Sequence, residues 1–150
     1  MLITITVCAR DAEDWVEDCL SSLCAQDHRP LQIIAVDDGS NDATLERMQS
    51  FLPPKESDLE LLVRSQGRLG LSAGRNHAVN EAAGEWIAIT DIDCRPDSNW
   101  ISTMLTGLSG LEGEEVVALT GRTVFDSGSS RISRLRSESI AKKYANRDKI

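Results

Sequence analysis

The 150-residue chain reads as an α/β protein with a mostly parallel sheet flanked by helices. Three observations predict this. Short β-branched runs alternate with amphipathic stretches of about ten residues, the pattern of strand–helix–strand units with right-handed crossovers. The run 31–36 (L-Q-I-I-A-V) is nearly all apolar, as a strand covered on both faces must be. Finally, three runs end in loops with chemical content: Cys8-Ala9-Arg10, Asp37-Asp38-Gly39-Ser40 and Asp91-Ile92-Asp93. In a parallel sheet those loops share one edge, where open α/β sheets bind ligands.

Residues 3–9 alternate β-branched and small side chains and read as the first strand. Arg10-Asp11 breaks it, and Asp11 is placed to cap a helix with Glu13 and Asp14 in its first turn. Trp15, Cys19 and Leu23, with Val16 and Leu20 beside them, repeat at helical spacing and predict a core face. This helix fades before Pro30, and the second strand (31–36) runs into a loop of turn and capping residues. A helix from Thr44 ends at Pro53-Pro54, since proline cannot continue it. A third strand is expected at 59–63, and a helix over 73–83 capped by Ser72.

Gly84 fits the left-handed position after that helix. The fourth strand follows through Trp86, Ile87, Ala88, Ile89 and Thr90. Asp97 or Ser98 then caps a helix whose apolar face is Trp100, Ile101, Met104, Leu105 and Leu108. A last strand is expected at 116–120, and a weak amphipathic helix at 132–145. The expected organisation is a core over 1–125 and a basic, weakly helical tail over 126–150.

A length of 150 residues fits one domain with a real core, and 41% hydrophobic with 27% charged residues is ordinary for a globular protein. The net charge of −8 is unevenly spread. Residues 131–150 hold seven basic residues against Glu138 and Asp148, a net +5, which leaves −13 for the first 130. An acidic body argues against nucleic acid as the main partner. The basic tail reads as a solvated helix face, or as a contact for a phosphate, for the body, or for an anionic membrane surface in peripheral contact. The four cysteines form no C-x-x-C pair and read as free thiols in a reducing compartment. No window reaches the about 20 apolar residues of a membrane span, and the start is too short and alternating for a signal peptide. A cytoplasmic protein is expected.

Two carboxylates one residue apart at a strand end, Asp91 and Asp93, suit a hard divalent cation that also carries phosphate oxygens. An acidic turn fits the same residues. Asp37-Asp38-Gly39-Ser40 offers a carboxylate to the N–H of a base or to ribose hydroxyls, and equally makes a turn and helix cap. The stretch from Gly70 to Asn76 opens a helix with small residues, so a phosphate could approach its positive end, with Arg75 adding charge or simply facing solvent. The spacing of Gly67, Gly70 and Gly74 matches neither the dinucleotide nor the P-loop fingerprint.

Taken in order, Cys8-Ala9-Arg10, Val36-Asp37-Asp38-Gly39-Ser40-Asn41-Asp42-Ala43-Thr44, Gly70-Leu71-Ser72-Ala73-Gly74-Arg75-Asn76, Gly84-Glu85-Trp86-Ile87-Ala88 and the D-x-D of Asp91-Ile92-Asp93 with Pro96-Asp97 form a specific set. Over about residues 3–122 the chain resembles the N-terminal half of the family 2 glycosyltransferases, which have the Rossmann-like GT-A fold. The resemblance implies a nucleotide-diphosphate sugar donor, commonly a UDP-sugar, a divalent cation (Mg²⁺ or Mn²⁺), and transfer with inversion to an acceptor the sequence does not identify. It also implies that Ala9 and Arg10 flank the base, that Asp38 contacts it, that Gly70 and Arg75 serve the donor, that Asp91 contacts ribose or sugar and joins the metal site, and that Asp93 binds the metal.

In that family the carboxylate that deprotonates the acceptor lies in a C-terminal half, which is expected to be missing here. Glu138 and Asp148, the only carboxylates after Asp126, have no apolar or aromatic context that would raise a pKa. The catalytic base is therefore not identified. A nucleotide-sugar-binding fragment without turnover, or one part of a split transferase, stands as the alternative. A nucleotidyltransferase fits less well, because no Gly-rich, Lys-containing loop follows the first strand. An apolar edge past Thr120 predicts self-association.

Overall fold

A computed structural model describes residues 1–55, 58–110 and 116–121. The chain divides into two compact units, Met1–Glu112 and Gly113–Ile150. The first contains, in order, β1 (Ile3–Ala9), α1 (Val16–Cys24), β2 (Leu31–Asp38), α2 (Thr44–Ser50), β3 (Leu59–Gln66), α3 (Leu71–Glu81), β4 (Trp86–Asp91) and α4 (Trp100–Ser109). In the second, residues 116–121 have no regular secondary structure, so the strand expected at 116–120 is not formed. The helix expected at 132–145 and the whole basic tail over 126–150 lie outside the described residues.

The four strands form one parallel sheet in the order β3-β2-β1-β4. Every residue of β1 and β2 is buried, which is why β1 is apolar or β-branched throughout and β2 is apolar apart from Gln32 and the closing Asp37 and Asp38. On one face Ile3, Ile5, Val7, Leu31, Ile33 and Ala35 pack with Val16, Leu20 and Leu23 of α1, Met48 of α2 and Ile101 of α4. On the other, Cys8, Ile34 and Val36 pack beneath Ala78 of α3. Each fully buried Ile or Leu contributes about 1.5–3 kcal/mol relative to exposure. Residues 112 and below therefore hold a core on both sides of the sheet.

The chain steps outward from β1 to β2 to β3 and then returns across β1 to β4. This reversal puts a topological switch point between β1 and β4, whose carboxyl ends are where a ligand crevice forms. Two sequence expectations change. Gly84 has no left-handed backbone, because α3 already ends at Glu81 and Ala82 is extended. A Cβ at Gly84 would lie 2.5 Å from the Thr4 nitrogen, so close approach to β1 is what requires glycine there. Trp15 is 43% exposed, and the Arg95 guanidinium stacks over its ring at 5.3 Å, so α1's core face begins at Val16.

Candidate functional site

The carboxyl end of β2 holds two buried carboxylates that point to different loops. Asp37 turns to its own loop and accepts N–H bonds from Gly39 (3.1 Å) and Ser40 (3.3 Å). Asp38 turns to the β3–α3 loop: its Oδ1 accepts from Gln66 Nε2 (2.7 Å), Leu69 N–H (2.9 Å) and Gly70 N–H (3.1 Å). Its Oδ2 also accepts from Gly70 N–H, at 3.0 Å. The Gln66 amide, opposed by burial and helped by the Leu69 and Gly70 N–H groups and by Arg10, holds the Asp38 carboxyl below its ordinary range. Asp38 is therefore an ionised acceptor at neutral pH.

Gly39 has φ +68°, and a Cβ there would come within 2.9 Å of Arg68 Cγ. That glycine lets Arg68 Nε reach the Gly39 carbonyl at 3.0 Å, which stitches the two loops together. Gly70 has φ +93°, starts α3, and commits its N–H to Asp38. Gln66 and Arg68 were missed by sequence reasoning, which ended the third strand at residue 63 and assigned them no role. The available signal was a polar residue ending β3, in register with Asp38.

After β1, Ala9 is buried in register with Asp37, whereas Arg10 is exposed and pairs with Asp11 at 3.7 Å. Asp11 is left-handed (φ +47°) and does not cap α1; its carboxylate accepts from Asn41 N–H at 2.7 Å, and its own N–H donates to Ser40 Oγ at 2.9 Å. Glu13 and Asp42 exchange similar bonds: Ala43 N–H donates to Glu13 Oε2 (2.9 Å) and Glu13 N–H to Asp42 Oδ2 (3.1 Å). Burial opposes the Asp42 charge, yet the Thr44 hydroxyl and the Thr44 and Glu13 N–H groups hold its carboxyl below the usual range. The acidic residues of this segment thus bind the β1 and β2 loops to each other.

At the end of β4, Asp91 lies in register with Cys8 and is 57% exposed. Arg75, on the first turns of α3, donates to Asp91 Oδ1 at 2.7 Å. Two residues on, Asp93 is exposed, and among the described residues its Oδ1 meets only the weak donor Cys94 Sγ at 3.7 Å. The loop between them is pinned by Cys94 N–H to the Asp91 carbonyl (3.0 Å), and Arg95 Nε reaches Asp18 Oδ2 at 3.1 Å. Burial pushes the Cys19 thiol beneath this loop up to about 12, and the nearby Cys94 and Asp93 act in the same direction. Cys19 is therefore an inert thiol rather than a nucleophile.

The structure thus joins Gly70 to Asp38 and Arg75 to Asp91 by direct bonds, and brings Ala9, Arg10 and Asp93 to the same edge. Among the described residues no three His, Cys, Asp or Glu side chains cluster as a metal cage. Two exposed carboxylates, one with free oxygens, fit the mode in which Mg²⁺ takes one or two carboxylates and completes its shell with phosphate and water. A separate cavity of about 600 Å³ lies along α1, lined by Glu17, Ser21, Arg29, Phe51 and Leu52, and contains none of these residues.

A parallel sheet with carboxylates gathered at its switch point defines an α/β domain of the crevice-binding class. The glycosyl transferase family 2 model matches residues 4–150, and the chain belongs to that family. It is 31% identical over 102 residues to glycosyltransferase GlyA of Streptococcus pneumoniae, a match covering 68% of this chain and 14% of that protein. The fold is that of S. aureus TarS 1–349, solved in complex with UDP-GlcNAc: TM-score 0.63, 21% identity, 84% of this chain and 38% of that one. The mannosyltransferase PcManGT of Pyrobaculum calidifontis, in complex with GDP-Man and Mn²⁺, matches with TM-score 0.55 and 28% identity over 61% of this chain and 27% of that one. The sheet is accordingly a GT-A sheet. The chain spans well under half the length of each of these proteins.

Proposed function

We propose that this chain is the donor-binding part of a family 2 transferase that passes a sugar from a nucleotide-diphosphate sugar, a UDP-sugar, to an acceptor hydroxyl with inversion. The convergence of Asp38, the Arg75–Asp91 pair and Asp93 on one switch-point crevice carries this reading. Relatives that bind UDP-GlcNAc and GDP-Man support the donor class. An ionised Asp38, already fixed by three donor groups, keeps lone-pair capacity on Oδ2 for the N–H of a base. Ala9 and Arg10 flank that base, and Asp91 takes a ribose or sugar hydroxyl.

Asp93, with Asp91 beside it, would hold Mg²⁺ or Mn²⁺. When bound, that cation neutralises the charge growing on the departing nucleoside diphosphate, a role worth several kcal/mol of barrier. Arg75 offsets the Asp91 charge that the same diphosphate must approach. None of the described carboxylates is assigned as the base for the acceptor hydroxyl. The free thiols Cys8, Cys19 and Cys94 support a place in the reducing cytoplasm.

Calorimetry with UDP-GlcNAc and Mn²⁺ tests this reading. The expected result is metal-dependent binding that Asp93→Ala weakens at least tenfold. Absence of metal-dependent binding for UDP- and GDP-sugars alike refutes it. Sugar transfer or donor hydrolysis by the purified chain then separates a complete transferase from a binding fragment.

A further inference from the structure

Gln66 ends β3 in register with Asp38 and gives its amide N–H to that carboxylate at 2.7 Å. Behind it runs a chain of polar groups. Gln66 Oε1 lies 3.4 Å from His77 Nδ1, and His77 Nε2 lies 3.1 Å from Glu81 Oε1. Arg64 Nε closes the chain, reaching the two Glu81 oxygens at 3.0 and 2.7 Å. His77, Glu81 and Arg64 are about one-third exposed, so the chain runs from the α3 surface to the buried Asp38.

The polarity of this chain is determined by its ends. An ionised Asp38 only accepts, so Gln66 must turn its NH₂ toward it and its carbonyl away. That carbonyl then needs a donor, and His77 with a proton on Nδ1 supplies one. Without His77 the Gln66 carbonyl loses its donor and the amide is held from the Asp38 side alone, so its aim at Asp38 loosens. Glu81, a carboxylate paired with Arg64, only accepts, so the ring serves both neighbours when it carries both protons, with Nε2–H toward Glu81 and Nδ1–H toward the Gln66 carbonyl. The groups facing His77 are thus Gln66 and, through Glu81, Arg64 of β3, and Glu81 of its own helix; Arg75 lies two residues away, engaged with Asp91.

We propose that Gln66 is the positioning residue that aims Asp38 at the nucleobase, and that His77, braced by Glu81 and Arg64, sets the orientation of the Gln66 amide. The proposal rests on the reading of Asp38 as the base contact. Four side chains that touch no ligand, Gln66, His77, Glu81 and Arg64, thereby tune affinity for the nucleoside without touching the diphosphate site. The 3.4 Å link from His77 is the longest in the chain and beyond the usual N–H···O range, so its loss should weigh less than loss of Gln66.

The test is UDP binding to the full chain with Mn²⁺, with Mn²⁺–pyrophosphate as the probe that lacks a base. Gln66→Glu sets two carboxylates face to face and should weaken UDP at least tenfold at pH 8, leaving pyrophosphate within twofold. Because facing carboxylates share a proton as the pH falls, UDP affinity of this variant should recover toward pH 5 relative to the unmodified chain. His77→Ala should cost about threefold, and His77→Asn, whose amide N–H falls near the Nδ1 position, should restore at least half of that. UDP binding unchanged in Gln66→Glu while Asp38→Asn loses tenfold overturns the positioning role alone. No loss in Asp38→Asn overturns the base-contact reading and this proposal with it. Joint loss of UDP and pyrophosphate without recovery at low pH also overturns the role, since it marks collapse of the crevice. Should Gln66→Glu fail to fold, equal UDP affinity in His77→Ala and the unmodified chain decides against the proposal.

Discussion

Gly74 is where α3 meets the carboxyl end of β1, and its contact distance makes a quantitative prediction. A Cβ there would sit 2.3 Å from Cys8 Sγ and 3.6 Å from Cys8 Cβ. Ordinary non-bonded contact begins near 3.5 Å, so the overlap is about 1.2 Å. In an open helix Gly74→Ala would stabilise by about 1 kcal/mol. Overpacking a filled site costs about 1–3 kcal/mol, so the single variant should be neutral to destabilising by about 2 kcal/mol. Cys8→Ala removes the clashing sulfur from a buried site at about 1 kcal/mol. In the double variant the helix gain returns and the overlap is gone. Its stability should exceed the sum of the single effects by at least about 1 kcal/mol, or about 4 °C in Tm. Urea unfolding of the four proteins measures that coupling. Additivity within about 0.5 kcal/mol, or a stabilised Gly74→Ala, would show that the Cys8 side chain turns away freely and would refute the reasoning.

Three further outcomes follow from the same contacts. Gly84→Ala must move backbone rather than a side chain, since its Cβ would lie 2.5 Å from Thr4 N and 2.9 Å from the Ile3 carbonyl carbon; a loss of about 2–3 kcal/mol is expected in urea unfolding, and a loss under 0.5 contradicts the close approach. Arg75→Ala breaks an exposed ion pair and should change stability by less than about 1 kcal/mol while weakening UDP-GlcNAc binding several-fold, so a large stability loss without a binding change goes against a donor-site role. The Asp38 and Asp42 carboxyls are held below their ordinary 3.8 when folded, so their stabilisation is full above that value and is lost as pH falls through the lower folded values. Denaturation midpoints should therefore decline below about pH 4, less steeply in Asp38→Asn, and equal slopes would contradict the folded-state assignment.

Residue pattern was a good guide to elements and a poorer guide to their ends. Strands β1, β2 and β4 and their connecting helices stand where periodicity and breakers put them, because central strands buried on both faces admit few polar residues. Pattern stopped β2 at Val36, whereas the strand continues through Asp37 and Asp38; the sheet ladder extends under carboxylates whose burial is satisfied by partners far along the chain. Asp11, favoured locally as a cap, instead bonds to Asn41, 30 residues on. Trp15 fitted the apolar period and yet carries Arg95 on its exposed ring.

By itself, the sequence determined the α/β class, the parallel sheet and the sharing of one edge by three loops, since these follow from short-range periodicity and from the handedness of crossovers. It also brought Asp38, Asp91 and Asp93 forward, because carboxylates at strand ends stand out against apolar runs. What those carboxylates do to their neighbours is set by contacts that exist once the chain is folded. That Asp38 is held by Gln66, Leu69 and Gly70, that Arg75 is engaged with Asp91, and that Gly74 and Gly84 are glycines because β1 leaves no room for a Cβ are facts of contact between segments distant in sequence. Local pattern records which face a residue prefers. Partner and distance exist only once the sheet has brought the loops together.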